Sequence, residues 1–307
     1  MKIAYIDPIV HTDISNTYRY YDGLFNALLE HNDCILFESF KDVSFKVKEF
    51  DVVVFGLGWK NFDYSKEIEK CSIPKIGFIF KPQNIFEQKI KFFKDHRFSL
   101  LLTSLPNFKE YEMLCEVRCD LFGYAANPDI FYSNGSREYE IGFSGALHQN
   151  KHYRAGSFDT QDIRKQIQEF LLSRKDVHSF LNGSDSVSPR IKQETEYASK
   201  IRASKMWLAT PAAFGDITPR YFEVPMSGTV LFCSSVPDAY RDIFRHEETC
   251  IDFGNSIGSF KESFEKYRYN EKLLKQISDL SAKEFKHINS WSSRAKDFVK
   301  KVGEILK

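Results

Sequence analysis

Short runs of β-branched and aromatic residues alternate with longer stretches that carry apolar residues on one face, and the alternation runs twice along the chain. In the first half, residues 2–6, 34–37, 52–55, 75–80, 98–102 and 118–121 read as strands, with helices over 16–30, 62–70 and 86–93. The pattern breaks at 125–137, where Pro128, Gly135 and clustered Asn, Asp and Ser mark a connection. A second series follows. Strands are expected at 140–144, 177–181, 205–209 and 229–233, and helices at 160–173, 190–203, 218–226 and 238–244. Residues 259–307 read as helical, with Phe264, Tyr267, Leu273, Leu274, Ile277, Leu280, Phe285 and Val299 facing inward. The strands are continuous apolar runs rather than alternations, so both faces are covered, as in parallel sheets flanked by helices. The chain is therefore expected to be α/β, with two Rossmann-like doubly wound domains at 1–130 and 131–307, the second with a helical tail. Two such domains create a cleft between the carboxyl ends of their sheets, so the functional residues belong in the loops after strands.

Composition narrows the function classes. Of 307 residues, 43 are Lys or Arg and 42 Asp or Glu, a net charge of +1. That balance supplies no global field for a nucleic-acid duplex or an anionic membrane. Hydrophobic residues at 42% and charged ones at 28% belong to a folded domain, and 29 Phe with 15 Tyr give it a large core. No apolar run approaches the ~20 residues of a transmembrane helix. The first residues read as a strand rather than a signal peptide. Only Cys115 and Cys119 of the six cysteines are close in sequence, with no histidine at ligand spacing. The thiols are expected in the core of a cytoplasmic protein.

Three segments carry candidate chemistry. Ile141-Gly-Phe-Ser-Gly145-Ala-Leu-His148 ends a strand in small residues, and Lys151, His152 and Arg154 follow. A backbone that can be approached closely, beside positive charge, suits a pyrophosphate; a basic surface loop has the same composition. In Gly215-Asp216-Ile-Thr218-Pro219-Arg220-Tyr-Phe-Glu223, Thr218 suits an N-cap and Pro219 a first helical residue. Arg220 sits where helix polarity disfavours a cation, a conflict that a bound anion removes. Glu223, one turn on, reaches for a sugar diol. A surface Arg–Glu pair at i,i+3 explains the same residues at about 0.3–0.5 kcal/mol. Lys205, after the basic helix end Tyr197–Ser204, either reaches the cleft or is a solvated charge before a strand.

The order of these segments has a family look. Strand-Phe-Ser-Gly is followed by Tyr197-x-x-x-Ile-x-x-Ser-Lys, then Thr218-x-Arg-x-Phe-Glu-x-x-x-Ser-Gly-Thr-x-Leu-Phe, then Phe253-Gly254 and His287-x-x-x-Trp-x-x-Arg294. From about residue 139 to 303 this resembles the nucleotide-sugar-binding half of GT-B glycosyltransferases. The group that includes spore-maturation-protein-like, family 1-like transferases is the nearest likeness. The resemblance implies that Glu223 accepts hydrogen bonds from the donor ribose, while Arg220, Thr218 and the first amides of that helix hold the diphosphate. It places the Gly145–His148 loop over the phosphates or the sugar, with Arg154, Lys205 and Asp216 nearby. Asn182-Gly183 falls where the base is held. The sequence departs from the retaining pattern at Gly215, eight residues before Glu223, where an acidic residue is usual; Asp216 is one position off. Pro225 falls inside the expected helix and should shorten or kink it.

Asp-x-Asp occurs nowhere in the chain. The expected activity is accordingly a metal-independent transfer that needs no cofactor. A sugar passes from a nucleotide-sugar donor, UDP-linked by family precedent, to the hydroxyl of a glycan, lipid-linked saccharide or protein. Inversion is favoured over retention. An inverting transferase needs a base from the first half, and the loop after the first strand offers His11 and Asp13; Asp13 suits an N-cap equally well. Lys81, Asn84 and Glu87 could line the acceptor side, with His96 and Arg97 as weaker candidates. Alternatives are a sugar-nucleotide epimerase of the same architecture and a non-catalytic nucleotide-sugar-binding module. A DNA-modifying transferase shares the fold, but the charge balance argues against it.

Overall fold

The structure, a computed structural model, describes residues 1–7, 22–31, 33–56, 66–79, 86–147, 160–184, 191, 193–212 and 215–307. Contacts divide it into two compact units. One holds the described residues up to Gly123 together with Trp291–Lys307, and the other holds Tyr124–Ser290.

The first unit is built on strands β1 (Lys2–Ile6), β2 (Asp33–Phe37), β3 (Val52–Phe55), β4 (Lys75–Ile79), β5 (Leu100–Thr103) and β6 (Cys119–Leu121). They form a parallel sheet in the order β2-β1-β3-β4-β5-β6. Val52–Phe55 is buried throughout, as an apolar run covered on both faces must be. Helices α1 (Asp22–His31), α2 (Phe40–Ser44), α3 (Phe86–Asp95) and α4 (Phe108–Cys115) accompany the sheet. The expected helix over 62–70 is described only from Lys66 to Lys70, where it is a tight 3-10 turn. Two short helices were not expected. The first, α2, starts from a capping box in which Ser39 and Asp42 satisfy each other's end of the turn.

The second unit begins with β7 (Tyr139–Ala146), α5 (Thr160–Ser173), β8 (Ser179–Ser184), α6 (Glu194–Arg202) and β9 (Ser204–Ala209). It continues with α7 (Arg220–Met226), β10 (Val230–Cys233), β11 (Ile251–Asp252), α8 (Ile257–Tyr267) and α9 (Glu271–Ile288). Its parallel sheet has the order β11-β10-β9-β7-β8. The chain moves outward from β7 to β8 and then returns to the other side of β7, so the topological switch point lies between β7 and β9. Ligands of doubly wound sheets bind at that point. Ile141, Phe143, Met206, Leu208, Phe232 and Ile251 from the strands pack with Ile167, Phe260, Phe264 and Ile277 from the helices.

Several expectations needed correction in this half. The segment 238–244 forms only a 3-10 turn, Asp238–Tyr240. The charged stretch after 259 is broken by Asn270, whose side chain accepts from the Leu273 amide and starts a new helix. Leu280 is 38% exposed rather than inward, and Phe298, not its neighbour Val299, fills the core.

The largest departure concerns the tail. The last helix, α10 (Trp291–Ile305), belongs to the first unit, not the second. Its Trp291 indole lies against Gly23 of α1, where a β-carbon would come within 2.3 Å of the ring, so only glycine fits. Phe298 stacks on Phe78 with centroids 6.4 Å apart, and Arg118 pairs with Glu304 at 3.1 Å. The boundary expected near 130 lies at 123/124 and is crossed a second time at 290/291. Entry and exit of the second unit are bonded to each other: the Ala126 amide donates to the Asn289 carbonyl at 3.1 Å, and Ala126 bridges Ser290.

All six cysteines are free thiols, and burial raises Cys34 and Cys115 to about 12, which keeps them protonated. No helix among the described residues is long and apolar enough to cross a membrane.

Candidate functional site

The loop that leaves β9 at the switch point builds the site. The Ala212 amide donates to the Asp216 carbonyl at 2.8 Å, and the Gly215 amide donates back to Ala212 at 3.2 Å. Gly215 has φ +72°, a left-handed conformation that explains a glycine where the retaining pattern has an acid. Asp216 is buried beside it. The chain then enters α7, which differs from the expected helix. It starts at Arg220, with Pro219 as its cap residue, and Thr218 makes no side-chain cap. The Thr218 hydroxyl is instead buried with no hydrogen-bond partner among the described residues. Pro225 lies within α7, which ends at Met226 and is only seven residues long. So short a helix makes a weak anchor for an anion, and side chains must do the work.

Two side chains of α7 are unusual. Glu223 is 2% exposed, yet among the described residues its carboxylate has no hydrogen-bond or ionic partner. Burial alone drives its pKa well above the ordinary carboxylate value. Arg220, one turn earlier, is half-buried and does not pair with Glu223. Its single hydrogen bond among the described residues runs from Nε to the Tyr197 hydroxyl of α6, at 3.1 Å. A surface Arg–Glu pair is thus not what these residues form. Among the described residues, each lacks a charged partner, one helical turn from the other.

The carboxyl end of β7 meets this pair. A β-carbon placed on Gly145 would lie 3.6 Å from Arg220 Nη1 and 3.2 Å from the Phe143 ring, so the guanidinium stands beside this glycine. Asn182 lies on β8 opposite Ser144, whose hydroxyl donates to its Oδ1 at 3.4 Å. Gly145, Asn182, Asp216, Thr218, Arg220 and Glu223 are therefore gathered around the carboxyl ends of β7, β8 and β9.

Lys205 is not brought there. It stands near the amino end of β9, at the opposite edge of the sheet, and pairs with Glu271. His96 lies at the end of α3 with its ring against Phe92, and Arg97 follows in a left-handed turn. Glu87 is an exposed residue of α3. His11, Asp13, Lys81, Asn84, His148, Lys151, His152 and Arg154 lie outside the described residues.

Two contributors escaped the sequence reading. Tyr197 stands within a sequence motif, and its contact with Arg220 spans 23 residues. Arg164 of α5 is buried and binds the Thr210 hydroxyl, the Thr210 and Pro211 carbonyls at 3.2 Å, and the Ala146 carbonyl at 3.4 Å. It ties the ends of β7 and β9 together beneath the site. One arginine early in an amphipathic helix carries no sequence signal for that role. Among the described residues no cluster of three or more His, Cys, Asp or Glu could hold a metal ion.

Comparison with known proteins bears on this geometry. Residues 164–300 match the family described as glycosyl transferase-like. No curated protein matches the chain in sequence. Among solved structures, sucrose-phosphate synthase from Thermosynechococcus elongatus is similar at TM-score 0.66 and 11% identity, with 99% of each chain covered. HepE from Anabaena, solved with UDP and glucose, is similar at TM-score 0.58 and 10% identity, covering 99% of this chain and all of its own. The DNA-modifying enzyme β-glucosyltransferase is similar at TM-score 0.58 and 13% identity, covering 98% of this chain and 99% of its own. At such identities the likeness is one of fold. The chain has the GT-B glycosyltransferase fold, and its segment 164–300 is similar to the glycosyl transferase-like family.

Proposed function

We propose that this chain, of GT-B fold with a glycosyl transferase-like segment at 164–300, transfers a sugar from a UDP-linked donor to an acceptor hydroxyl. The observation that carries the reading is the pair on α7: a buried carboxylate and, one turn away, a guanidinium, neither paired with a charged group among the described residues. Burying a carboxyl without a partner costs stability. A ribose removes that cost, because its two hydroxyls donate to Glu223. Arg220 and the Gly145 backbone then face the diphosphate. The solved likeness that holds UDP and glucose supports the choice of nucleotide.

In the reaction the bond between the anomeric carbon and the β-phosphate oxygen breaks, and a bond from the acceptor oxygen forms. The acceptor proton passes to a base, and UDP leaves with the bonding electron pair. Arg220 stabilises the charge that develops on the diphosphate, a contribution largest where water is excluded. The first unit is assigned the acceptor and the base, with His11 and Asp13 as candidates. An inverting, metal-independent course is proposed, with Arg220 in the place that a divalent cation takes in other transferases.

Titration calorimetry with UDP and with UDP-glucose tests the reading. The protein should bind UDP in the presence of EDTA, and Glu223→Ala should weaken binding about 100-fold. Absence of UDP binding, or unchanged affinity in the variant, overturns the ribose assignment. Release of UDP from UDP-sugars only when an acceptor is added separates transfer from epimerisation and from binding without turnover.

A further inference from the structure

We infer that Tyr197 is a positioning residue that aims Arg220 at the donor phosphates without discharging it; the inference rests on the phosphate role proposed above. A guanidinium has five N–H donors in a rigid fork. In Arg220 the Nε donor is taken by the Tyr197 hydroxyl at 3.1 Å. The four donors on Nη1 and Nη2 make no hydrogen bond among the described residues, and Nη1 stands over Gly145. A bond at Nε fixes the rotation of the planar group, so the fork is presented in one orientation rather than swept through many.

Tyr197 is itself held firmly. It is more than nine-tenths buried on α6, its ring edge-on to Trp207 with centroids 5.8 Å apart and to Phe131 at 6.3 Å. Both neighbours are fully buried. The hydroxyl therefore has a defined place, set by packing rather than by the ligand. The chemical identity of the acceptor atom matters as well. A carboxylate at this position would orient Arg220 equally well but would neutralise it and compete with the phosphates. A phenol oxygen orients the cation and leaves its charge available.

Tyr197→Phe keeps the ring and its packing and removes only the oxygen. UDP affinity should fall about fivefold, because Arg220 keeps its charge and loses only its fixed orientation. Affinity for uridine, which has no phosphate for Arg220 to touch, should be unchanged, and so should the melting temperature. In an Arg220→Ala background, Tyr197→Phe should cost nothing further. Unchanged UDP affinity in Tyr197→Phe overturns the inference. So does an equal loss for UDP and uridine, which marks a structural role, and so does an additive loss in the Arg220→Ala background. Arg220→Ala binding UDP like the unmodified protein overturns the phosphate reading and the inference with it. Normal loss in Arg220→Ala with no loss in Tyr197→Phe overturns the inference alone.

Discussion

The two ends of the second unit's sheet treat the same kinds of residue in opposite ways. At the amino end, Arg268 is almost fully enclosed, its side chain 1% exposed, and it is answered on every side. Its Nε and Nη2 donate to Glu140 at 3.0 and 3.2 Å, and its Nη1 meets Asp176 at 2.9 Å. Asp176 also binds Arg174, which reaches Glu265, and these partners hold the Asp176 carboxyl well below the usual range. At the carboxyl end, Glu223 and Arg220 sit a turn apart and leave each other alone. A closed network stabilises a fold, and the open pair is where the donor is proposed to bind. On the proposed reading, the contrast separates structural charges from functional ones where residue type alone cannot.

Three changes test that contrast, beyond those already described. The largest effect is expected at the closed end. Arg268→Met should destabilise the protein by about 3 kcal/mol, since Glu140 loses its partner while largely enclosed. Urea denaturation measures the loss, and UDP affinity at 25 °C should be retained. A much smaller loss would show that the network is decorative.

At the open end the sign reverses. Burial raises the Glu223 carboxyl above its ordinary value of 4.5 in the folded protein. Its contribution to stability is therefore complete below about 4.5 and is lost as pH rises through the higher folded value. Glu223→Gln, neutral at every pH, should melt higher than the unmodified protein at neutral pH, by roughly 3 °C, with the gain vanishing below about pH 4.5. With saturating UDP the order should invert. Scanning calorimetry from pH 4 to 8 reads both, and a variant that melts lower throughout would mean that the carboxylate has a partner.

The smallest effect belongs to Lys205. Its pair with Glu271, which is two-thirds exposed, lies at the closed end, and Lys205→Ala should change stability by less than about 0.5 kcal/mol and leave UDP binding alone. A large loss of UDP affinity would return Lys205 to the site.

Much of the fold was legible because continuous apolar runs bounded by turn residues leave few options. Strands at 2–6 and 52–55 and the helix Thr160–Ser173 have the expected bounds. The site was partly legible for a similar reason: Thr-Pro-Arg-x-x-Glu after a buried strand puts a cation and an acid on one turn, and the structure adds that they do not pair. The failures have physical causes. Lys205 borders a strand, and whether a strand's first or last residue faces a ligand depends on the direction of the sheet. The inward stripe of α10 looks the same whichever sheet it covers, and the choice was made by Gly23, nearly 270 positions away, which accommodates Trp291. Tyr197 meets Arg220 through tertiary structure alone. The two-residue strand β11 is too short to carry any periodic signal.

The double crossing of the chain between its units has a practical consequence. Residues 124–290 behave as an insertion within a host formed by the segments on either side, and the two junctions of that cassette lie one hydrogen bond apart. A gene severed once, at codon 124, would strip the host of its closing helix. A chimera that exchanges this cassette should instead be spliced at two points, lifting it out whole and leaving Trp291 to find Gly23 in the recipient.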